Sequence, residues 1–554
     1  MPEILAATVE YGGYISAVKI IVFLALFFLW LPLVTWVHRD ADAVESNTTL
    51  WTGLVLGAGA VAAVVWMIIP FYAVGLLLYV IAVGTTALAY VKHRNARVLD
   101  FDRVLTAQHI KGVLAGEDKK TKEMKSFVFI TANKNEVPTP EPRTPEFFGF
   151  KMAYDLIMDA TYRRAAVVAF APTAQDYNVT YSVDGAPIKQ PDMPRDQIKY
   201  LINFLKHLAD LDTNEKRKPQ KGLFKTAQGG NRTEWELVTA GSTAGEQVRL
   251  KRVTHDTLAR LSDIGLTPKQ YEQLNAFRNL KQGLFIVSGP GKSGVTTTLY
   301  SLLRNHDAFL NSINTLEREP AATLPNITQN IFNLTDTGTT SFAKKLQEVI
   351  RMGPDIVGVP DCENAEAAKF ASAGAKDQKI LYVTLEANSL MQALAKWLKL
   401  VGDRNIIANT LLGISNQRLL RKLCPECKQA YAPNKELFNK FNITAEKTKA
   451  LYRAGKVQYD KHGKPVTCEN CQGTGYIGRT GVFETIFVNE ELKKVLRKTK
   501  TLPEIASQFR RAKMFYLQEQ ALRKVIAGTT GINEMIRVLS APKTDKPKPK
   551  PKQQ

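Results

Sequence analysis

Residues 289–297 read Gly-Pro-Gly-Lys-Ser-Gly-Val-Thr-Thr, and glycines at 289 and 294 followed by a hydroxyl at 296 have the spacing of a phosphate-binding loop. In such a loop, backbone N–H groups cradle phosphate oxygens, a lysine neutralises the terminal phosphates and a hydroxyl holds Mg2+. Gly289, Gly291 and Gly294 keep the curve, Ser293 and Thr297 stand beside them as phosphate-contacting candidates, and Thr296 supplies the metal-ligating hydroxyl. The lysine slot holds Val295. Lys292, three positions earlier, either takes over that charge or is an exposed loop base. The loop therefore reads as a weak site for ATP and Mg2+, short of the cation on which phosphoryl transfer most depends.

A second chemistry comes from sulfur. Four of the five cysteines form two Cys-x-x-Cys pairs, Cys424/Cys427 in "LCPECK" and Cys468/Cys471 in "TCENCQGTGY". Two such knuckles present four thiolates to one structural Zn2+, with no position left open for catalysis. The 40 residues between the pairs exceed the usual ribbon spacing, so redox-active or unligated thiols remain the alternative. "CENCQGTGY" is also similar to one zinc repeat of DnaJ-type chaperones, although the further repeats and the J-domain of that family are missing.

These residues need a scaffold. The loop follows the apolar run Leu284–Val287 and precedes a helical pattern. Across 253–420, β-rich runs ("GLFIVSG", "DIVGVP", "KILYVTL") alternate with helical ones, as expected of an α/β parallel sheet with crossover helices. Residues 151–252 read as a smaller α/β module with an Asp184-Gly185 turn between strands, 421–487 as the cysteine-bearing insertion, and 488–540 as a helical segment. Residues 98–150 read as a polar linker, and the Lys/Pro stretch 541–554 as disordered, either solubilising or touching anionic lipid.

The first 97 residues differ in kind. Ile20–Val37 is apolar and uncharged, and Trp51–Val91 is an apolar run of about twice that length, interrupted by Pro70. As one helix the latter would reach about 60 Å, against about 30 Å of hydrocarbon. Three spans, 15–37, 51–69 and 71–91, fit better than a buried soluble hairpin. Lys92, His93, Arg94 and Arg97 crowd the last exit, which puts the soluble part on the cytoplasmic side of the membrane, in a multi-pass protein whose N-terminus is outside. The net charge of +22 suits an anionic surface, but no aromatic-interleaved basic stretch marks a nucleic-acid reader, and none is expected as a partner.

From about 150 to 540 the order of segments resembles one family. "YSVDG", "EKRKPQKG", the loop at 289, "INTLEREPAATLPNITQNIFN", "EVIRMGPDIVGVPDCEN", "ISNQRLLRKLCPECK" and "CENCQGTGYIGRTGVFE" are similar to the hexameric secretion ATPases of type II secretion and type IV pilus assembly. Membrane spans are not typical of its members. The resemblance implies an N-terminal α/β module, a RecA-like P-loop core with a zinc-binding insertion, and nucleotide held between the modules of a ring of six. It also implies an inner-membrane platform protein as partner. Residue by residue, the family's acidic strand end becomes Glu317-Arg318-Glu319-Pro320, keeping Glu317, and its Walker B glutamate becomes Asp361, with Glu363 in place of an arginine. Its histidine becomes Glu386, while in the module Arg217 is retained and a phosphate-facing arginine becomes Glu236. Cations are lost and anions gained around the same pocket. The expectation is a catalytically degenerate, membrane-anchored subunit of a homo- or hetero-hexameric ring. The alternatives are an active motor that redeploys Lys292, Glu317 and Asp361, and a zinc-bearing interaction protein without a ring.

Overall fold

The computed structural model describes residues 17–44, 46–69, 71–98, 103–106, 126–140, 144–253, 258–333, 341–432, 450–455, 458–459, 465–499 and 501–540. Pro70 and the Lys/Pro stretch lie outside these residues, as does much of the expected linker. Three N-terminal helices, α1 (Ala17–Ala43), α2 (Thr48–Ile68) and α3 (Tyr72–Arg97), are each long and apolar enough to cross a membrane. They run past the expected 37 and 91 because charged residues near their ends find partners. Arg94 Nε and the Tyr90 hydroxyl each donate to Asp40 Oδ2 at 2.7 Å, in a pair only 1% exposed. Close approach is bought with glycine, since a Cβ at Gly59 would lie 2.3 Å from the Trp30 ring and one at Gly75 2.1 Å from that of Trp66. Apolar side chains such as Ile21, Leu29, Met67 and Ile68 point outward and exposed.

The chain beyond α3 contains a mainly antiparallel sheet. Strand Ala165–Pro172 pairs on one side with Gly245–Val253 and on the other with Asp176–Val183, and Asn231–Ser242 continues the sheet. In Asp176–Val183 every second residue is buried, the pattern of a sheet with one face on a core. Asp184 (φ +50°) and Gly185 (φ +80°) make the two-residue turn to strand Ala186–Lys189. Helices Pro145–Tyr162 and Arg195–Leu208 contribute buried Leu156, Ile157, Leu201 and Leu205. Ordered elements reach into the stretch expected as linker: residues 127–130 and 136–137 are strands, and the first of these helices starts at Pro145. The reason is packing. Phe129 meets Phe204 edge-on with centroids 5.3 Å apart, and the Ala132 N–H donates to Leu208 O at 2.9 Å.

The second sheet carries the phosphate-loop sequence. Its strands are β1 (Gly283–Gly289), β2 (Ile313–Glu317), β3 (Thr328–Ile331), β4 (Ile356–Val359), β5 (Ile380–Glu386), β6 (Leu411–Leu423) and β7 (Tyr476–Phe487), in the order β3-β2-β4-β5-β1-β6-β7. All pairings are parallel except β6–β7. β1 is buried on both faces because its side chains alternate between two cores. Leu284 and Ile286 join Leu381 and Val383 on one face, while Phe285 and Val287 join Ile356 and Tyr382 on the other. Helix Pro268–Asn275 starts with a Thr267/Gln270 capping box. Gln270 Nε2 then donates to Thr485 Oγ1 (3.0 Å) and Gln520 Nε2 donates to Gln270 Oε1 (2.6 Å), tying β7 to the C-terminal helices.

His306 is 6% exposed and lies 2.7 Å from the Tyr382 hydroxyl, where burial, with Arg278 adding to it, pushes its pKa from 6.5 down to about 4. The imidazole is thus neutral when folded, and protonation favours the unfolded chain. Its contribution is complete above pH 6.5 and is lost as pH falls towards 4. Melting curves across that window should show the wild type losing up to about 3 kcal/mol more than His306→Gln.

Candidate functional site

β1 ends at Gly289, and the chain then curls through Pro290–Gly294 into helix α4 (Val295–Leu303). Lys292 (φ +64°) and Gly294 (φ +85°) both take the left-handed conformation that such a curl requires. A Cβ at Gly289 would lie 2.2 Å from Ser293 Oγ and 3.0 Å from Gln417 O, so the loop closes only over glycine. Gln417 Nε2 fixes its far side, donating to Ser293 O at 2.9 Å. Ser293 Oγ is buried without a hydrogen-bond partner. Gly289, Gly291, Lys292, Ser293, Gly294, Thr296 and Thr297 therefore share one loop and the first turn of α4, where Val295 is half-buried and brings no charge.

Parallel pairing sets what faces this loop. Gly289 pairs with Glu386, the last residue of β5, and the Ala387 N–H donates to Gly289 O at 3.1 Å. The Glu386 side chain turns onto the loop, where its Oε1 accepts from the Gly291 N–H at 3.2 Å. A carboxylate thus engages one of the backbone donors that a phosphate-binding loop offers to an anion.

The neighbouring strand ends bring further carboxylates. Glu317 closes β2 and is 1% exposed; it accepts from the Tyr300 hydroxyl (2.5 Å), Thr315 Oγ1 (2.7 Å) and Gln329 Nε2 (3.0 Å). Tyr300 lies on α4, so this carboxylate anchors the helix, and burial followed by the Glu317 hydrogen bond pushes the tyrosine's pKa up. Asp361, just past β4, has φ +53° and donates its N–H to Thr384 Oγ1 at 2.8 Å. Partial desolvation, then the charge of Glu363, raises its pKa, with Arg318 pulling the other way. Arg318 itself stands 5.2 Å from the Phe342 ring centre and 5.8 Å from that of Phe332.

Cations come from positions outside the motifs. Lys396 Nζ reaches Glu363 Oε1 at 2.5 Å. Lys221 Nζ lies 2.7 Å from Glu319 and 3.3 Å from Glu236, linking the antiparallel sheet to the end of β2. Arg217 is exposed on the loop before Lys221, its N–H donating to Glu215 Oε1 (2.8 Å) and its carbonyl accepting from Gly241 N–H (3.1 Å), both contacts within its own module. Sequence reasoning missed Lys221, Lys396 and Tyr300. Lys221 lay inside a segment already singled out, "EKRKPQKG", and Tyr300 closes the loop stretch 289–300.

The cysteines converge. The Sγ atoms of Cys424, Cys427, Cys468 and Cys471 all lie within 4.8 Å of one another, with Cys424–Cys468 at 3.9 Å and Cys427–Cys471 at 3.6 Å. Four thiolates at about 2.3 Å around a tetrahedral ion would stand about 3.8 Å apart, so the set fits a metal ion. The Gly475 N–H donates to Cys471 Sγ at 3.2 Å, as an outer contact to a thiolate ligand would. The strand pair delivers the knuckles: Leu423 of β6 pairs with Tyr476 of β7, and the Cys424 N–H donates to Gly475 O at 2.9 Å.

A family profile described as Type II/IV secretion system protein matches residues 150–537. The chain belongs to that family. Among curated relatives, it is 28% identical over 403 residues to the Type IV pilus assembly ATPase PilB of Thermus thermophilus, covering 72% of this chain but only 44% of the relative. It is 27% identical to Type II secretion system protein HxcR of Pseudomonas aeruginosa (70% of this chain, 76% of the relative). It is 28% identical to Type II secretion system protein E of Dickeya dadantii (69% and 74%). The match begins well after α3, so the three apolar helices fall outside the family region.

For the cysteine cluster, titration of the purified chain with Co2+ should give uptake of a single ion and thiolate-to-metal charge-transfer absorption. Cys424→Ser or Cys471→Ser should weaken that uptake by at least about a hundredfold and lower the thermal midpoint. Unchanged uptake in both variants would rule the cluster out as the site.

Proposed function

We propose that this member of the Type II/IV secretion system protein family is a membrane-anchored pseudo-ATPase, a ring subunit with a structural or regulatory role in a type II secretion or type IV pilus-like machine. The observation that carries the reading is the Glu386 carboxylate on the Gly291 N–H at 3.2 Å. An incoming phosphate must displace an anion from its own cradle and then share the space with it, and like charges at such range repel strongly. Val295 offers nothing to offset this, and removing one well-placed electrostatic group costs about a hundredfold to a thousandfold in rate. Glu317, the retained acidic strand end, is occupied with Tyr300, Thr315 and Gln329, a role in holding α4 rather than in activating water.

In this reading α1–α3 anchor the chain in the inner membrane with the soluble part in the cytoplasm, and the four cysteines hold a structural Zn2+. The ring is a hexamer, built from this chain alone or mixed with an active paralogue, and it works against an inner-membrane platform protein. Nucleotide binds weakly through Gly289, Gly291, Lys292, Ser293, Gly294, Thr296 and Thr297, with Arg217 from the module.

Phosphate release by the purified protein with Mg2+ and ATP should not exceed that of Thr296→Ala. Release that Lys292→Ala abolishes would instead establish the active motor. With a fluorescent ATP analogue, Glu386→Gln should bind at least about tenfold more tightly than the wild type, a gain of about 1.4 kcal/mol. Equal affinities would remove the carboxylate from the explanation.

A further inference from the structure

Where α3 leaves its apolar stretch, a cavity of about 500 Å³ opens beside its last turns. One wall is a single helix face, since Leu88, Val91, Lys92 and Asn95 stand three or four residues apart. Its character changes along the helix from apolar to cationic and amide. The other wall is the turn 103–106, which Asn95 folds back onto the helix. Asn95 Nδ2 donates to Val104 O at 3.0 Å, and its Oδ1 accepts from the Val104 N–H at 3.1 Å. Arg103 Nε donates to Asn95 O at 3.1 Å. This clamp sets Arg103 in the same cavity as Lys92. It also holds Leu105 in the left-handed region (φ +58°) and leaves it 60% exposed, as Leu88 is.

Two cations, an amide and exposed leucines thus line one hollow at the end of an apolar helix. A soluble anion would use the cations and leave the leucines in water. A molecule with a phosphate above an acyl chain would use both, because long basic side chains reach phosphate level while their stems and apolar neighbours stay at the hydrocarbon edge.

We propose that this cavity binds the phosphate-bearing headgroup of an anionic phospholipid, with Lys92 and Arg103 on the phosphate and Leu88, Val91 and Leu105 against the upper acyl chain. The assignment rests on the reading of α1–α3 as membrane spans, and it makes the third span's exit selective for lipid charge.

The test uses the full chain reconstituted in phosphatidylcholine alone or mixed with phosphatidylglycerol, then released into detergent, with retained lipid counted by native mass spectrometry. Wild type should keep phosphatidylglycerol in preference to phosphatidylcholine. At about fivefold per basic residue, Lys92→Gln with Arg103→Gln should lose about twenty-five-fold of that retention. The charge-keeping pair Lys92→Arg with Arg103→Lys should retain it, with thermal midpoints confirming that both variants fold. Equal retention by the wild type and the Gln variant, or equal loss in the charge-keeping variant, overturns the proposal. Displacement by inorganic phosphate as readily as by the soluble glycerophosphate headgroup overturns the lipid assignment. Protease protection in phosphatidylcholine vesicles separates the two readings. A chain that fails to insert there sinks the spans and the site together, whereas insertion without headgroup preference sinks the site alone.

Discussion

The parallel pairing that sets Gly289 beside Glu386 governs the chemistry of this molecule. Two adjacent strands ending at the same level put the last side chain of one against the turn that follows the other. With an acidic residue there, the loop's own backbone donor is met from within the chain. A charge-assisted hydrogen bond of this kind is stronger than one between neutral groups. It needs no ligand and suffers no competition from Val295, which has no charge to draw the carboxylate away. The curl of Pro290–Gly294 is thereby held in shape from both sides, by Glu386 at Gly291 and by Gln417 at Ser293.

The rest of that sheet edge follows the same logic of internal neutralisation. Glu363 is met by Lys396, and Glu319 by Lys221, which also serves Glu236. Arg318 rests against Phe332 and Phe342 while offsetting part of the rise in the Asp361 pKa. The charges along this edge are largely matched by side chains. These surface pairs are individually weak. Their consequence lies in where they sit, since Lys221 belongs to one sheet and Glu319 follows strand β2 of the other, so the pair joins the two.

What could be read from the sequence was what depends on near neighbours. Leu284–Val287 read as a strand of a parallel sheet, the loop glycines as a curved loop, and the apolar runs as three long helices. Each Cys-x-x-Cys was visible as a knuckle. The meeting of the two knuckles was harder to derive from spacing, because it depends on the β6–β7 register across the insertion. Lys221 and Lys396 could not be found, since their partners are 98 and 33 positions away and nothing in the local pattern distinguishes them from solvated lysines. Glu386 was legible as an anion in a phosphate-sensing place, but that it accepts from Gly291 follows from strand register alone. The strand at 127–130 was overlooked because the polar residues around it hid a four-residue apolar run, which packs on Phe204 through Phe129.

The Asp40–Arg94 pair, 1% exposed and separated in sequence by the whole of α2, bears on biogenesis. A buried charge without its partner is costly, so α1 is left with an unanswered carboxylate until the third helix has been made. Packing of the three helices is then a joint event, with α1 waiting for α3 to complete its polar contact.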